Sequence, residues 1–338
     1  MRKYLLPNDG SFYKANLHCH STVSDGVLTP NEIKEKYIKE GYSIVAYTDH
    51  EVLVPHPELA DESFLPLNGV ELKCDEAEDK PWNEKKTCHI CYIALDPDNH
   101  TQICYHRSEY IWGNAATYRD KIKIDENEPD FIRDHNQECI NEMMKRGREK
   151  GFFVTYNHPV WSLENYMDYM GYEHMHAMEI VNFGCLASGY NDYNEREYED
   201  MLRGGKRIYC IAADDNHNDE FDDSFGGFTM IKAEKLEYKA ITDALMSGNF
   251  YASQGPEIYD LWFEDGKICV TCSDACMIRL NTGIRRTEFV TGDVENPVTK
   301  AIFNVNPQDR YVRITVTDKN GKHANTNAYF TDELFYFV

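Results

Sequence analysis

The chain has 338 residues, 42% of them hydrophobic, and sets 35 Lys and Arg against 58 Asp and Glu for a formal charge of -23. That length allows one large α/β domain, or one domain plus a small second one. The acidic balance disfavours non-specific binding to nucleic acid, which needs a basic surface.

Mean hydropathy is -0.61, and no apolar run is long enough to span a membrane. Residues 1–7 turn polar too soon for a signal-peptide core, so a soluble, cytoplasmic protein is expected. The 11 cysteines, an odd number, then read as reduced thiols.

The first element is the short strand Lys14–His20, followed by an acidic turn holding Asp25. His18 and His20 are two residues apart, so an extended backbone turns both imidazoles to one face. Neutral imidazoles paired at a strand end are a start on a metal site. Thr29-Pro30-Asn31-Glu32 opens a helix with a capping box and Pro at its first position, and Gly41 closes it. Ser43–Thr48 reads as a strand closing on Asp49 and His50, and Phe64–Glu71 as another. His89–Leu95 is a strand that starts, rather than ends, on its polar residue.

Asp96–His135 is a long, irregular, polar insertion with Trp112, Arg107 and Arg119, and reads as a lid or binding loop. A helix over 136–150, the strand Phe152–Tyr156 and the loop Asn157-His158-Pro159 follow. Then come a strand over Ala177–Asn182, a helix over Asp192–Leu202, and a strand over Arg207–Ala213 that ends in Asp214-Asp215-Asn216-His217. A last amphipathic helix stops at Gly248. Such alternation implies parallel βα units. From about Pro256 the texture becomes that of a small β domain, giving expected domains of 1–255 and 256–338. Cys88 and Cys91 have metal-like spacing but face opposite ways in a strand, and Cys269, Cys272 and Cys276 lack the second pair of a zinc knuckle.

The candidate ligands are His18, His20, Asp25, His50, Glu71, His89, His158, Asp215 and His217, nearly all at or just past a strand end. In an α/β barrel that face is where catalytic groups converge. Nitrogen and carboxylate donors without thiolate suit Zn, Mn or Fe(II). There are more donors than one ion needs, which points to about two or three divalent ions that polarise a phosphoryl group. Asp49 and Asp214 read as residues that orient the ligands or cap a helix. His56, His100, His106, His135, His174, His176 and His323 read as surface or loop residues.

His18-Cys19-His20 with Ser24-Asp25-Gly26, then Thr48-Asp49-His50, Gly69-Val70-Glu71, His89, Asn157-His158-Pro159 and Asp215-Asn216-His217, resemble the ordered motifs of the PHP (polymerase and histidinol phosphatase) superfamily. The resemblance covers about residues 12–255 and implies a distorted (β/α)7 barrel with a trinuclear site at its C-terminal face. By that resemblance His18, His20, Glu71 and Asp215 hold one ion, Glu71, His89 and His158 a second, and Asp25, His50 and His217 a third. Position 25 is His in some members and acidic in others. Phe250–Pro256 and Ala324–Asn327 are similar to bacterial PHP proteins with an extra C-terminal β domain.

The reaction expected is hydrolysis of a small phosphate ester, a nucleotide or sugar phosphate, by metal-bound hydroxide. Asp25 and His217 are the candidate leaving-group acids. Asn157, Asn182, Lys73, Arg285 and Arg286 are candidates to bind substrate. No basic stripe with interleaved aromatics is visible, so a nucleic-acid partner is limited to short oligonucleotides, and an oligonucleotide exonuclease is the runner-up. Two other readings stand beside these: an amidohydrolase-like enzyme acting on a non-phosphate ester, and a non-catalytic metal-binding module.

Overall fold

The computed structural model describes residues 2–77, 80–218 and 222–335. Its elements run β1 (Lys3–Tyr4), β2 (Ser11–Asn16), α1 (Pro30–Lys39), β3 (Ile44–Tyr47), β4 (Leu65–Asp75), β5 (Thr87–Ala94), α2 (Gln137–Glu149), β6 (Phe152–Tyr156), α3 (Tyr166–Tyr169), β7 (Ala177–Asn182), α4 (Phe183–Ala187), α5 (Glu195–Arg203), β8 (Tyr209–Ala213), β9 (Phe228–Ala233), α6 (Tyr238–Met246) and β10 (Phe250–Ser253). They continue as β11 (Ile258–Glu264), β12 (Lys267–Ala275), β13 (Met277–Thr282), β14 (Thr287–Thr291), β15 (Val298–Asn304), β16 (Tyr311–Thr317), β17 (His323–Thr326), β18 (Tyr329–Phe330) and α7 (Thr331–Phe335). The fold is mixed α/β. No helix among the described residues is long and apolar enough to cross a membrane.

One large sheet runs in the order β14-β13-β16-β17-β10-β9-β2-β3-β4-β5-β6-β7-β8. Strands β3, β5, β6 and β7 are buried at every position, as strands covered on both faces are. The far end of the sheet returns to β2. Asp215 N donates to His18 O at 2.9 Å, and His20 N to Asn216 O at 3.1 Å.

Every strand from β2 to β10 sends a side chain into one apolar cluster, through Ala15, Ile44, Leu67, Ile93, Phe153, Ala177, Ile211, Ile231 and Phe250. The candidate ligands lie just beyond these residues in chain order. In β5 the order reverses, with His89 before Ile93. Strand β5 is antiparallel to both β4 and β6, so its beginning meets the ends of its neighbours. That explains why a histidine at a strand start joins the others. It also corrects the expectation of uniformly parallel units, as do β9 and β10, which run antiparallel to their partners.

The helix caps follow the sequence reading. Thr29 and Glu32 form the capping box of α1, with Pro30 at its start. Helix α5 begins at Glu195 rather than Asp192, because the Asp192 carboxylate instead accepts from Trp161 N at 2.9 Å.

The C-terminal strands are not separated from the rest at residue 255. Strand β10 pairs with β17 through Ser253 and Ala324, which carries the large sheet onward. Strand β1 pairs with β11 in a second sheet, β1-β11-β12-β15. Leu5 and Leu6 pack with Ile258, Leu280 and Ile314, so the first residues lie with the last ones. Arg313 of β16 joins the two regions. Fully buried, it donates to Glu199 Oε1 at 2.6 Å and Glu195 Oε1 at 2.7 Å on α5.

Removing one partner of a buried ion pair leaves the other uncompensated, at a cost of about 3–5 kcal/mol. Arg313→Ala is therefore expected to lower unfolding stability by that amount, read by urea denaturation. A loss under about 1 kcal/mol, the range of an exposed pair, would contradict the docking role given to Arg313.

Candidate metal centre

Glu71 is the hub. It lies inside β4, which runs on to Asp75 instead of ending at Gly69-Val70-Glu71, and its side chain is 1% exposed. Its Oε1 lies 3.2 Å from His18 Nε2, 3.0 Å from His89 Nδ1 and 3.3 Å from His158 Nε2. Its Oε2 lies 2.9 Å from His50 Nδ1 and 3.4 Å from His20 Nε2. Asp215, held left-handed at φ 53°, brings Oδ1 to 3.1 Å from His18 Nε2 and 3.0 Å from His20 Nε2. At the rim, Asp25 sits 3.7 Å from His50 Nε2 and 3.5 Å from His217 Nε2.

All the candidate ligands thus come together. Among the described residues they fall into four overlapping groups whose donor atoms lie within 4.8 Å of one another: His20, Asp25, His50 and His217; His18, His158 and Asp215; His18, Glu71 and Cys91; His50, Glu71 and His89. The set Asp25, His50 and His217 implied by the resemblance is therefore joined by His20. His158 lies with His18 and Asp215 as well as beside Glu71.

Two observations test whether these residues fit divalent ions. His20 Nδ1 and His50 Nδ1 are buried without a hydrogen-bond partner, although His50 Nδ1 is close to Glu71. The ring nitrogens of His18 and His20 face each other at 3.1 Å. Lone pairs converging in a buried space call for a cation or protons between them. Imidazole and carboxylate donors suit Zn, Mn or Fe, so the residues fit the group.

Electrostatics agree with that need. Burial lowers the His20 pKa to about 4, helped by His50 and His217, which leaves a neutral ring ready to donate its lone pair. His50 and His158 go the other way. Burial would lower both, but Glu71 with the nearby aspartates raises each to about 9. Burial would raise Asp25, yet His50, His20 and His217 hold it below the usual carboxylate range. A carboxyl held ionised in this way suits a ligand to a cation. His217 keeps Nδ1 on Asp215 O at 3.0 Å and turns Nε2 toward Asp25 at the rim.

Supporting residues fix the donors. Asp49 accepts from Ser21 N at 2.8 Å and Ser24 N at 3.1 Å, shaping the turn that carries Asp25. Asp214 accepts from Phe225, Gly226 and Gly227 N and from Tyr37 Oη, and burial raises it to about 7. Asn157 and Asn182 are fully buried. Asn182 Nδ2 donates to Glu179 Oε2 at 2.9 Å and Asp215 Oδ2 at 3.0 Å. Asn157 Nδ2 donates to Cys91 Sγ at 3.0 Å. Asn157 Nδ2 also reaches Glu71 Oε1 at 3.4 Å, and neither amide lines the cavity described below.

Lys73 lines the cavity and pairs with Asp75 at 2.8 Å. Arg285 and Arg286 do not line it. They sit in the β13–β14 turn, where Arg286 is tied to Asp309 at 2.6 Å and to Glu288.

The sequence reading missed Glu179 and set Cys91 aside. Glu179 Oε1 takes His18 Nδ1 at 2.7 Å and its Oε2 takes His158 N at 3.0 Å, which orients two ligands at once. A lone carboxylate inside the apolar strand Ala177–Asn182 was the available signal. Cys91 is two residues from His89 and so shares its face. Cys88 points instead into the apolar core.

Four histidines read as surface residues are buried: His56, His106, His176 and the side chain of His135. His176 accepts from Val154 N at 3.0 Å and stacks on Phe153. His135 reaches Glu164 at 3.4 Å.

A cavity of about 500 Å³ opens above the cluster, lined by Trp82, Trp112, Trp161, Tyr190, Lys73 and Lys85 among others. Trp112 lies 5.8 Å from the His50 ring, and Trp161 5.1 Å from that of His158. Trp112 comes from the 96–135 insertion.

No family model matches the chain. It is 33% identical over 85 residues to a 5'-3' exoribonuclease of Haemophilus influenzae, a match covering 25% of this chain and 29% of that protein. It is 34% identical over 86 residues to a 3',5'-nucleoside bisphosphate phosphatase of Chromobacterium violaceum, covering 24% and 28%. The matches thus span less than a third of these curated relatives. A solved two-domain protein of Bacteroides vulgatus containing a predicted PHP-like metal-dependent phosphoesterase aligns over 97% of both chains, at 14% identity and a TM-score of 0.44. The ordered motifs meet in one cluster, and two curated sequences match part of the chain. The motifs that resemble the PHP superfamily are thus the residues that form the cluster.

Because His50 and His158 hold protons up to about pH 9 without metal, a cation must displace them. Metal uptake by this chain at neutral pH is expected to release protons, with apparent affinity rising toward pH 9. Titration calorimetry in two buffers of different ionisation enthalpy reads this directly. Identical heats in both would contradict it.

Proposed function

We propose that this chain is a metal-dependent phosphoesterase that hydrolyses a small phosphate ester at a di- or trinuclear site. The site would sit on the C-terminal face of a distorted (β/α)7 barrel formed by β2 to β8. The observation that carries the reading is the buried cluster of imidazoles and carboxylates around Glu71 at the floor of an open cavity. The common apolar cluster of the strands and the return of β8 to β2 support the barrel.

When bound, divalent ions supply Lewis acidity toward phosphoryl oxygens and lower the pKa of water. His18, His20, His50, His89, His158, His217, Asp25, Glu71 and Asp215 would hold them. Glu71 directs its two oxygens to different sets of imidazoles, the placement a bridging ligand needs. Glu179 fixes the orientation of His18. His217 is at the rim and 27% exposed; in a dinuclear site that leaves its Nε2 uncoordinated, that nitrogen is placed to hand a proton to a departing group.

The cavity walls favour a nucleotide over a sugar phosphate. Trp112 and Trp161 line the cavity beside different candidate ligands, His50 and His158. Aromatic faces stack bases whatever their sequence. Lys85, and Lys73 beside Asp75, are the lysines on the cavity wall; with bound cations they would offset the charge of an acidic chain, which an anionic ester needs to approach. The names of the two curated relatives, a bisphosphate phosphatase and an exoribonuclease, make short oligonucleotides the second class to try.

Chelator-stripped protein reloaded with Mn, Fe(II) or Zn is expected to release phosphate from mononucleotides faster than from sugar phosphates. His158→Ala should lower the rate by about 100-fold or more, as losses at metal ligands and their supports do. Release confined to oligonucleotides would favour the exonuclease. No release from protein shown to hold metal, across mononucleotides, sugar phosphates and oligonucleotides, would refute the phosphoesterase.

A further inference from the structure

We infer that Arg133, at the end of the 96–135 insertion, is a positioning residue that sets His50 against Glu71 by clamping Glu51. This rests on the metal-site reading above. Glu51 follows His50 directly, is buried, and adopts the left-handed conformation with φ 65°. Its backbone N donates to Glu71 O at 2.9 Å, and its Oε1 accepts from Lys73 N at 3.2 Å. The residue that carries His50 is thus fastened at two points to the strand that carries Glu71.

Arg133 closes the arrangement. Its Nη1 donates to Glu51 Oε1 at 2.7 Å and its Nη2 to Glu51 Oε2 at 2.8 Å, a two-pronged contact with both side chains under 5% exposed. Nη1 also donates to Lys73 O at 2.8 Å, and Tyr110 lies under the guanidinium at 4.3 Å. Gln102, from the same insertion, grips the other side, with Nε2 on Glu51 O at 3.2 Å and Oε1 receiving Leu53 N at 2.8 Å.

The insertion is therefore pinned through residues 102 and 133 to the loop after His50, rather than hanging over the site as a free lid. A planar fork matches a carboxylate in a way that an ammonium cannot. Without it, the Glu51 carboxylate stays buried and unpaired, the left-handed turn loses its restraint, and His50 shifts relative to Glu71 and to His20, Asp25 and His217.

The test titrates Co(II) into the stripped full chain and follows visible absorption, for wild type, Arg133→Lys, Arg133→Gln and the double variant Arg133→Gln/Glu51→Gln. Arg313→Ala serves as a control destabilised far from the site. Arg133→Lys and Arg133→Gln are expected to bind about 10–100-fold more weakly, the range seen when an outer partner of a metal ligand is lost, with altered absorption bands. The double variant should be no worse than Arg133→Gln alone, because the pair acts as one unit. Arg313→Ala should keep wild-type affinity and spectrum.

Wild-type affinity and spectrum in folded Arg133→Lys would overturn the inference, as would an equal loss in Arg313→Ala. Should Arg133→Gln fail to fold, Arg133→Lys, which keeps the buried charge, decides. A wild-type chain that binds no Co(II) would overturn both the metal site and the latch. Wild-type binding with an unaltered Arg133→Lys would overturn the latch alone.

Discussion

A single buried carboxylate governs this molecule. Glu71 is touched by the imidazoles of His18, His20, His50, His89 and His158, buried at the floor of the cavity. Ionised groups cannot remain there unless they are paired and oriented. Neither can so many lone pairs converge without positive charge between them. The surrounding architecture keeps that convergence in place. The apolar cluster beneath fixes the strands, the reversed β5 delivers His89 from its starting end, and the left-handed turns at Glu51, His158 and Asp215 aim ligands inward. Non-glycine residues in such conformations persist where neighbours over-determine them, and each of these has buried hydrogen bonds that do so.

Much of this was legible in the sequence, for a physical reason. Ligands near the ends of strands leave a double signal: an apolar run and then a polar residue able to bind metal. His18, His20, His50, His158, Asp215 and His217 were readable on that basis. Glu71 was readable as a ligand but not as the interior of a longer strand, since Leu72, Lys73 and Cys74 continue past the rim without a turn signal. Glu179 went unseen because it lies inside a strand and binds imidazole instead of occupying a loop. Arg133 went unseen because its partner is far off in the chain, and nothing local separates a clamp from a solvated charge.

The same limit explains the domain division. A change of texture near Pro256 is a local property, whereas pairing is not. Strand β1 pairs with β11 across most of the chain length, and β10 with β17 across the C-terminal strands between them. Arg313 then sinks into α5, and α5 follows directly on Asp192 and Asn194, whose side chains bear on Trp161 N and Glu179 O. The C-terminal strands thus dock on α5 and place none of their residues in the cavity.

The central claim is that the groups around Glu71 exist to hold divalent ions, and diffraction tests it most directly. Crystals grown with Mn or Zn, measured at the metal absorption edge, should show anomalous peaks enclosed by His20, Asp25, His50 and His217 and beside Glu71 on its His18, His89 and His158 side. Peaks confined to surface carboxylates, with the Glu71 cluster empty at saturating metal, would contradict the account.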